Sequence, residues 1–101
     1  MTRAMERLDS CAGAPVSLTE LAAESGVSPY QLLRAFKRTL GITPHVYLTQ
    51  KRVQIARRCL AEGRRPAETA FQSGFADQSH LTRAFKRYIG VTPGQYRAAV
   101  T

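Results

Sequence analysis

The sequence has no tryptophan, two cysteines and two histidines. Cys11 and Cys59 both lie in apolar-periodic stretches, which favours buried, reduced thiols over a disulfide or a metal site. The cysteines and histidines do not have the spacing of zinc ligands. No apolar run approaches the ~18 residues of a membrane span, and the N-terminus lacks the apolar core of a signal peptide. We therefore expect no metal, no cofactor and no membrane partner.

Patterns typical of catalysis are also missing. Cys11, His45 and His80 fall in different predicted helices, and there is no nucleophile elbow, phosphate-binding loop or pair of carboxylates. Both histidines occupy polar helix positions, where a solvated side chain is the ordinary explanation. The sequence therefore predicts that the protein is not an enzyme. A Cys–His pair within hydrogen-bond distance would reopen that question.

Acidic residues are scarce: seven stand against fifteen lysines and arginines, giving a net charge of +8 and a pI near 10.3. Residues 28–61 and 78–101 contain several basic residues each and no Asp or Glu. A basic excess concentrated in two segments indicates a polyanionic partner. RNA or an anionic membrane surface would attract the same charge.

The chain contains an internal repeat at an offset of 49 residues. Residues 28–48 read SPYQLLRAFKRTLGITPHVYL, and residues 77–97 read DQSHLTRAFKRYIGVTPGQYR. Each copy combines a capping residue, a basic amphipathic helix, a glycine stop and a Thr-Pro start for the next helix. A period of this size usually indicates a duplicated supersecondary unit.

Start and stop signals predict an all-α fold with about seven helices. A short helix and a glycine-containing turn, with Gly26 or Gly74, precede each repeated helix, as in a helix-turn-helix unit. The second turn is one residue longer than the first. We predict a single, homeodomain-like domain over residues 1–101. It comprises two helix-turn-helix subdomains, about 4–43 and 64–98, joined by a long helix over 44–62, with further short helices at about 2–11 and 67–73.

Helical spacing divides the repeated helices into two faces. Phe36 and Phe85 belong to the apolar stripes Leu32–Phe36–Leu40 and Leu81–Phe85–Ile89, and Tyr47 and Tyr96 are predicted packing anchors. The predicted outward residues are Tyr30, Leu33, Arg34 and Lys37 in the first copy and Ser79, Thr82, Arg83 and Lys86 in the second. The outward arginines are either solvated charges or side chains that donate bidentate hydrogen bonds to guanine O6 and N7. Because both copies carry an arginine at the equivalent position, the second interpretation is favoured.

The long helix suggests how both copies could act together. Its nineteen predicted residues span about 28 Å, and successive major-groove faces of B-DNA lie about 34 Å apart. With helix widths added, this helix is a reasonable spacer between two recognition helices, at about 28–40 and 77–89. One chain could then bind an asymmetric site as a monomer.

Over residues 4–98 the chain resembles the DNA-binding domain of the AraC/XylS family of bacterial transcription regulators. The similarity rests on Ala70-x3-Gly74-Phe75-x-Asp77-x-Ser79-His80-Leu81-x-Arg83-x-Phe85-Lys86, on Gly90-x-Thr92-Pro93-x2-Tyr96-Arg97, and on Arg52-Val53-x2-Ala56-x2-Cys59-Leu60. The chain departs from the family pattern at Pro66 and Thr69, where aliphatic residues are usual, so we expect looser packing of that helix. Cys59 replaces a common leucine.

The resemblance implies sequence-specific binding of a double-stranded DNA operator in adjacent major grooves. We expect base reading by Tyr30, Gln31, Leu33, Arg34, Gln78, Ser79, Thr82 and Arg83. Leu33 would contact a thymine methyl group or read no base. Phosphate contacts are expected from Ser28, Lys37, Arg38, Lys86 and Arg87.

The resemblance also implies a wider context. We expect a cytoplasmic, nucleoid-associated regulator that contacts RNA polymerase, with activation more typical of the family than repression. The first predicted helix begins near residue 1 without a capping signal. We therefore expect the C-terminal part of a longer, effector-responsive and dimeric protein, itself monomeric in isolation. A free-standing activator and a non-specific nucleic-acid-binding protein are the alternatives.

Overall fold

The computed structural model describes residues 2–10 and 17–101, which form seven α-helices and no β-strand. The helices are α1 (Thr2–Ser10), α2 (Leu18–Glu24), α3 (Pro29–Leu40), α4 (Pro44–Ala61), α5 (Pro66–Gln72), α6 (Gln78–Ile89) and α7 (Pro93–Val100). The all-α prediction is confirmed. Helix α5 begins one residue earlier than predicted, because proline suits the first turn of a helix. Cys11 and the predicted loop after it lie outside the described residues.

Most helices begin at the capping side chains that the sequence predicts. In α3, the Ser28 hydroxyl accepts from the Gln31 N–H at 3.1 Å, and the Ser28 N–H donates to Gln31 Oε1 at 2.9 Å. Thr92 and Gln95 form the same reciprocal box at α7. Single capping bonds fix α2, α4 and α6, whereas Arg65 provides no side-chain bond at α5. Local hydrogen bonding therefore sets where both repeated helices start.

The helices enclose two apolar clusters. The first consists of Ala4, Leu21, Ala22, Leu32, Phe36 and Leu48, with Met5, Tyr47 and Ile55 packed against it. The second consists of Val53, Ala56, Leu60, Ala70, Phe75, Leu81, Ala84 and Phe85, with Tyr88, Ile89 and Tyr96 at its edge. Each contains an edge-to-face Phe–Tyr pair, Phe36–Tyr47 at 5.8 Å and Phe85–Tyr96 at 5.5 Å between ring centres. The predicted tyrosine anchors are thus confirmed.

Helix α4 belongs to both clusters. Leu48 and Ile55 pack in the first, while Val53, Ala56 and Leu60 pack in the second. Ile55 therefore packs in the first cluster, although Val53 and Ala56 on either side of it in the sequence pack in the second. The helix that we predicted as a spacer is also a wall of both cores, so the two clusters are held at a fixed separation.

The core departs from the prediction at Leu40. Leu40 is 37% exposed, so its predicted place in the core is wrong. It is the last residue of α3, next to Gly41 with φ 75°, and lies beyond the cluster that buries Leu32 and Phe36. Thr69 is fully buried, and its hydroxyl has no hydrogen-bond partner in the described structure. Cys59 is a buried free thiol, as predicted.

The last helix is tied to the end of α4 by two arginines. Arg57 Nε donates to the Tyr96 hydroxyl at 3.2 Å, and Arg97 Nε donates to the Gly63 carbonyl at 3.0 Å. These bonds secure α7 over the second cluster. Among the described helices, none combines the length and apolarity needed to cross a membrane.

Candidate nucleic-acid interface

Helices α3 and α6 each follow a tight turn that contains a left-handed glycine. Gly26 has φ 73° between α2 and α3, and Gly74 has φ 88° between α5 and α6. Glycine takes this conformation without the steric cost that a side chain would add. The turn residues run from Ser25 to Ser28 in the first unit and from Ser73 to Asp77 in the second, so the predicted extra residue is confirmed.

The outer face of α3 combines an aromatic ring with basic side chains. Tyr30 is 66% exposed, and the Arg34 guanidinium carbon lies 5.7 Å from the centre of its ring. Lys37 and Arg38 follow one turn later and are also exposed. The stacked contact orients Arg34, since guanidinium groups favour the faces of aromatic rings.

Two predicted site residues of α3 are partly engaged within the protein. Gln31 Oε1 accepts the capping bond from the Ser28 N–H, which leaves the amide NH2 group of this exposed side chain for a ligand. Leu33 is half-buried rather than fully outward. It borders a cavity of about 160 Å³ whose other lining residues include Leu18, Leu21, His45 and Leu48.

The outer face of α6 is more polar. Gln78, Ser79, Arg83, Lys86 and Arg87 are exposed, and Thr82 is half-buried. The Thr82 hydroxyl donates to the Gln78 carbonyl at 2.9 Å, so its oxygen remains free to accept.

His80 differs from its predicted solvated state. The ring is half-buried and packs edge-on against Phe75, with 5.3 Å between the ring centres. His45 is exposed at the start of α4, as expected.

Helices α3 and α6 border different surface depressions. A groove of about 310 Å³ runs between α4 and α6, and its walls are His45, Val46, Thr49, His80, Arg83, Ala84, Arg87 and Tyr88. The surface depression at α3 is instead lined by residues of α3 alone, Leu33, Arg34, Lys37 and Arg38. No sequence pattern predicts this groove, because the residues of its two walls are far apart in the chain.

The exposed basic residues of α3 and α6 lack acidic partners in the described part of the chain. The ion pair Arg7–Glu24, at 3.1 Å, lies away from them on α1 and α2. Burial lowers the pKa of Arg52 on α4 from its ordinary value. Among the described residues, no group of three or more potential metal ligands lies together. These faces therefore present uncompensated positive charge, which suits a polyanion.

Two tandem helix-turn-helix units that share one central helix indicate the helix-turn-helix class of DNA-binding proteins. Residues 21–99 match the family described as "Helix-turn-helix domain". The chain is 48% identical over 66 residues to the uncharacterized HTH-type transcriptional regulator YbfI of Bacillus subtilis, covering 65% of this chain and 24% of that protein. It is 42% identical over 82 residues to a putative AraC-like transcription regulator of Streptomyces antibioticus, covering 80% and 27%.

A solved structure agrees with these relatives. The DNA-binding domain of the global transcriptional factor AdpA, determined in complex with a target DNA, superposes with a TM-score of 0.84 at 29% identity, covering 93% of this chain and 85% of that one. The chain belongs to the AraC-type family of helix-turn-helix transcription regulators, which confirms the resemblance found in its motifs. It spans about a quarter of the length of the two relatives.

Proposed function

We propose that this domain binds double-stranded DNA in a sequence-specific manner, with α3 and α6 in adjacent major grooves on one face of the duplex. One observation carries the proposal: exposed, unneutralised basic residues occupy equivalent positions on two helices, each packed in a cluster to which α4 also contributes. The AdpA domain, which was solved with a target DNA, supports it through its similar fold.

Base reading is assigned first to Arg34 and Arg83. Each lies at the equivalent exposed position of its helix, and a guanidinium can bind guanine O6 and N7 bidentately. Additional base contacts are proposed for Tyr30, Gln31, Leu33, Gln78, Ser79 and Thr82. The free NH2 group of Gln31 can only donate, which favours acceptor positions on a base. Half-buried Leu33 offers an apolar edge suited to a thymine methyl group.

Phosphate contacts are assigned to Lys37 and Arg38 on α3 and to Lys86 and Arg87 on α6. They follow the arginines by about one turn and are exposed. Contacts of this kind supply affinity and orientation without reading sequence. Ser28, whose hydroxyl oxygen already accepts the capping bond, can donate its hydroxyl hydrogen to a phosphate.

The dimensions of the domain suit two contacts on one duplex. Its longest extent is 44 Å, which exceeds the separation of about 34 Å between successive major grooves. Helix α4 alone spans about 27 Å. A single chain can therefore reach both grooves, and we propose binding as a monomer through two subdomains, about 4–43 and 64–98, on either side of α4.

The wider role is part of the same proposal. The domain serves a cytoplasmic, nucleoid-associated regulator that is longer, effector-responsive and dimeric, and that contacts RNA polymerase. The two longer relatives support this reading, since each has several times the length of the matched region. A free-standing activator is the competing proposal.

Selection of bound duplexes from a random pool, followed by footprinting, tests the proposed function. We expect enrichment of a bipartite, asymmetric site whose halves are centred about one helical turn apart. Binding without enrichment would instead identify a non-specific nucleic-acid-binding protein.

A further inference from the structure

The groove between α4 and α6 adds residues to the DNA surface that the repeat does not contain. Its α4 wall is formed by His45, Val46 and Thr49, in the first two turns of that helix. Beside the basic residues of α3, by contrast, the surface depression is lined by residues of that helix alone. Helix α6 therefore shares its groove with His45, a side chain from another helix.

The chemistry of this groove favours an anion. Its ionisable walls are His45, His80, Arg83, Arg87 and Tyr88, and none of them is acidic. The Arg87 guanidinium carbon lies 5.9 Å from the centre of the Tyr88 ring. The nearby Asp77 carboxylate accepts the backbone N–H of His80 at 2.7 Å as the cap of α6. Two arginines that share a groove without a carboxylate repel each other, and a bound anion would relieve that repulsion.

The position of the groove indicates which anion. Helix α4 follows α3 after the short connection Gly41–Thr43, so its first turns lie between the two recognition helices in the chain and border α6 in space. Where one protein occupies two successive major grooves, a sugar-phosphate backbone crosses between them. We propose that this groove holds a backbone phosphate from that crossing segment, with His45 as an additional contact. The inference rests on the proposed function.

His45 occupies the α4 side of the groove. It faces His80, Arg83, Arg87 and Tyr88 from α6, and its other side borders the cavity at Leu18 and Leu33. An imidazole N–H can donate a hydrogen bond to a phosphate oxygen.

The test compares the affinities of the 101-residue chain and its variants for a random-sequence duplex of about 30 base pairs over a series of salt concentrations. His45→Ala should weaken binding about fivefold, because it removes one hydrogen bond to a phosphate oxygen. His45→Lys should retain tight binding, with a salt slope about one unit steeper than that of His45→Ala. Gln54→Ala, at an exposed position of the same helix, should behave as wild type.

An unchanged affinity in His45→Ala, or equal salt slopes in His45→Ala and His45→Lys, would overturn the inference. Thermal unfolding checks that the exposed substitution leaves the fold intact. Site selection separates this outcome from failure of the proposed function. If the protein selects a bipartite site but His45 has no effect, only the phosphate contact is wrong; if it selects no site, the proposed function itself fails.

Discussion

The Tyr96 hydroxyl accepts a hydrogen bond from Arg57 Nε at 3.2 Å, and the Arg57 guanidinium carbon lies 5.7 Å from the centre of the same ring. The equivalent tyrosine of the first repeat, Tyr47, lies within α4, where Lys51 Nζ stands 5.4 Å from its ring centre. Both repeats thus pair a tyrosine with a cation of α4. In the first repeat the pair is local, whereas in the second it joins α7 to α4.

Tyr96→Phe should lower the free energy of unfolding by about 0.5–1.5 kcal/mol, because it removes the hydroxyl but keeps the ring contact with Phe85. A double-mutant cycle with Arg57→Ala, measured by denaturant unfolding, should give a coupling energy of similar size. Additive effects of the two substitutions would show that the bond contributes nothing to stability.

Gly90 and Gly94 form a matched pair for testing backbone conformation. A Cβ added at either meets no atom within 4 Å, but Gly90 has φ 98° and Gly94 lies in helix α7. Gly90→Ala should destabilise the domain by about 1–2 kcal/mol through left-handed strain. Gly94→Ala should stabilise it by up to about 1 kcal/mol through helix propensity. Equal shifts in the two unfolding midpoints would contradict this account.

Substitution of the buried residue Thr69 should stabilise the domain. Its hydroxyl lacks a partner, and valine has nearly the same shape without that polar group. Thr69→Val should therefore raise the free energy of unfolding by about 1–2 kcal/mol. Thr69→Ser, which keeps the hydroxyl and loses a methyl group, is the control and should destabilise the domain. A loss of stability in Thr69→Val would mean that the hydroxyl is satisfied in solution.

Features set by short-range sequence could be predicted well. The caps at Ser28 and Thr92 and the glycine stop at Gly41 depend on residues within a few positions. The ring pairs Phe36–Tyr47 and Phe85–Tyr96 follow from the repeat once one of them is placed in a core.

Features that depend on how distant helices meet could not be predicted. The packing of His80 on Phe75 and the half-burial of Leu33 require the tertiary arrangement, as does the groove that brings His45 beside Arg83. The role of α4 in both cores could not be predicted either. Its periodicity shows which side of the helix is buried, but not which cluster each buried residue joins.

Selection profiles of two arginine variants test the central claim, that two recognition helices of one chain read two half-sites, most directly. Arg34→Ala and Arg83→Ala should each lose about 1–3 kcal/mol on the selected duplex. Each should relax base preference in a different half-site, with the affected positions about 10 base pairs apart. Lys86→Ala, the control, should weaken binding to all sequences and flatten the salt slope by about one unit. If both arginine variants altered the same positions, or weakened selected and random duplexes equally, two-headed reading would be contradicted.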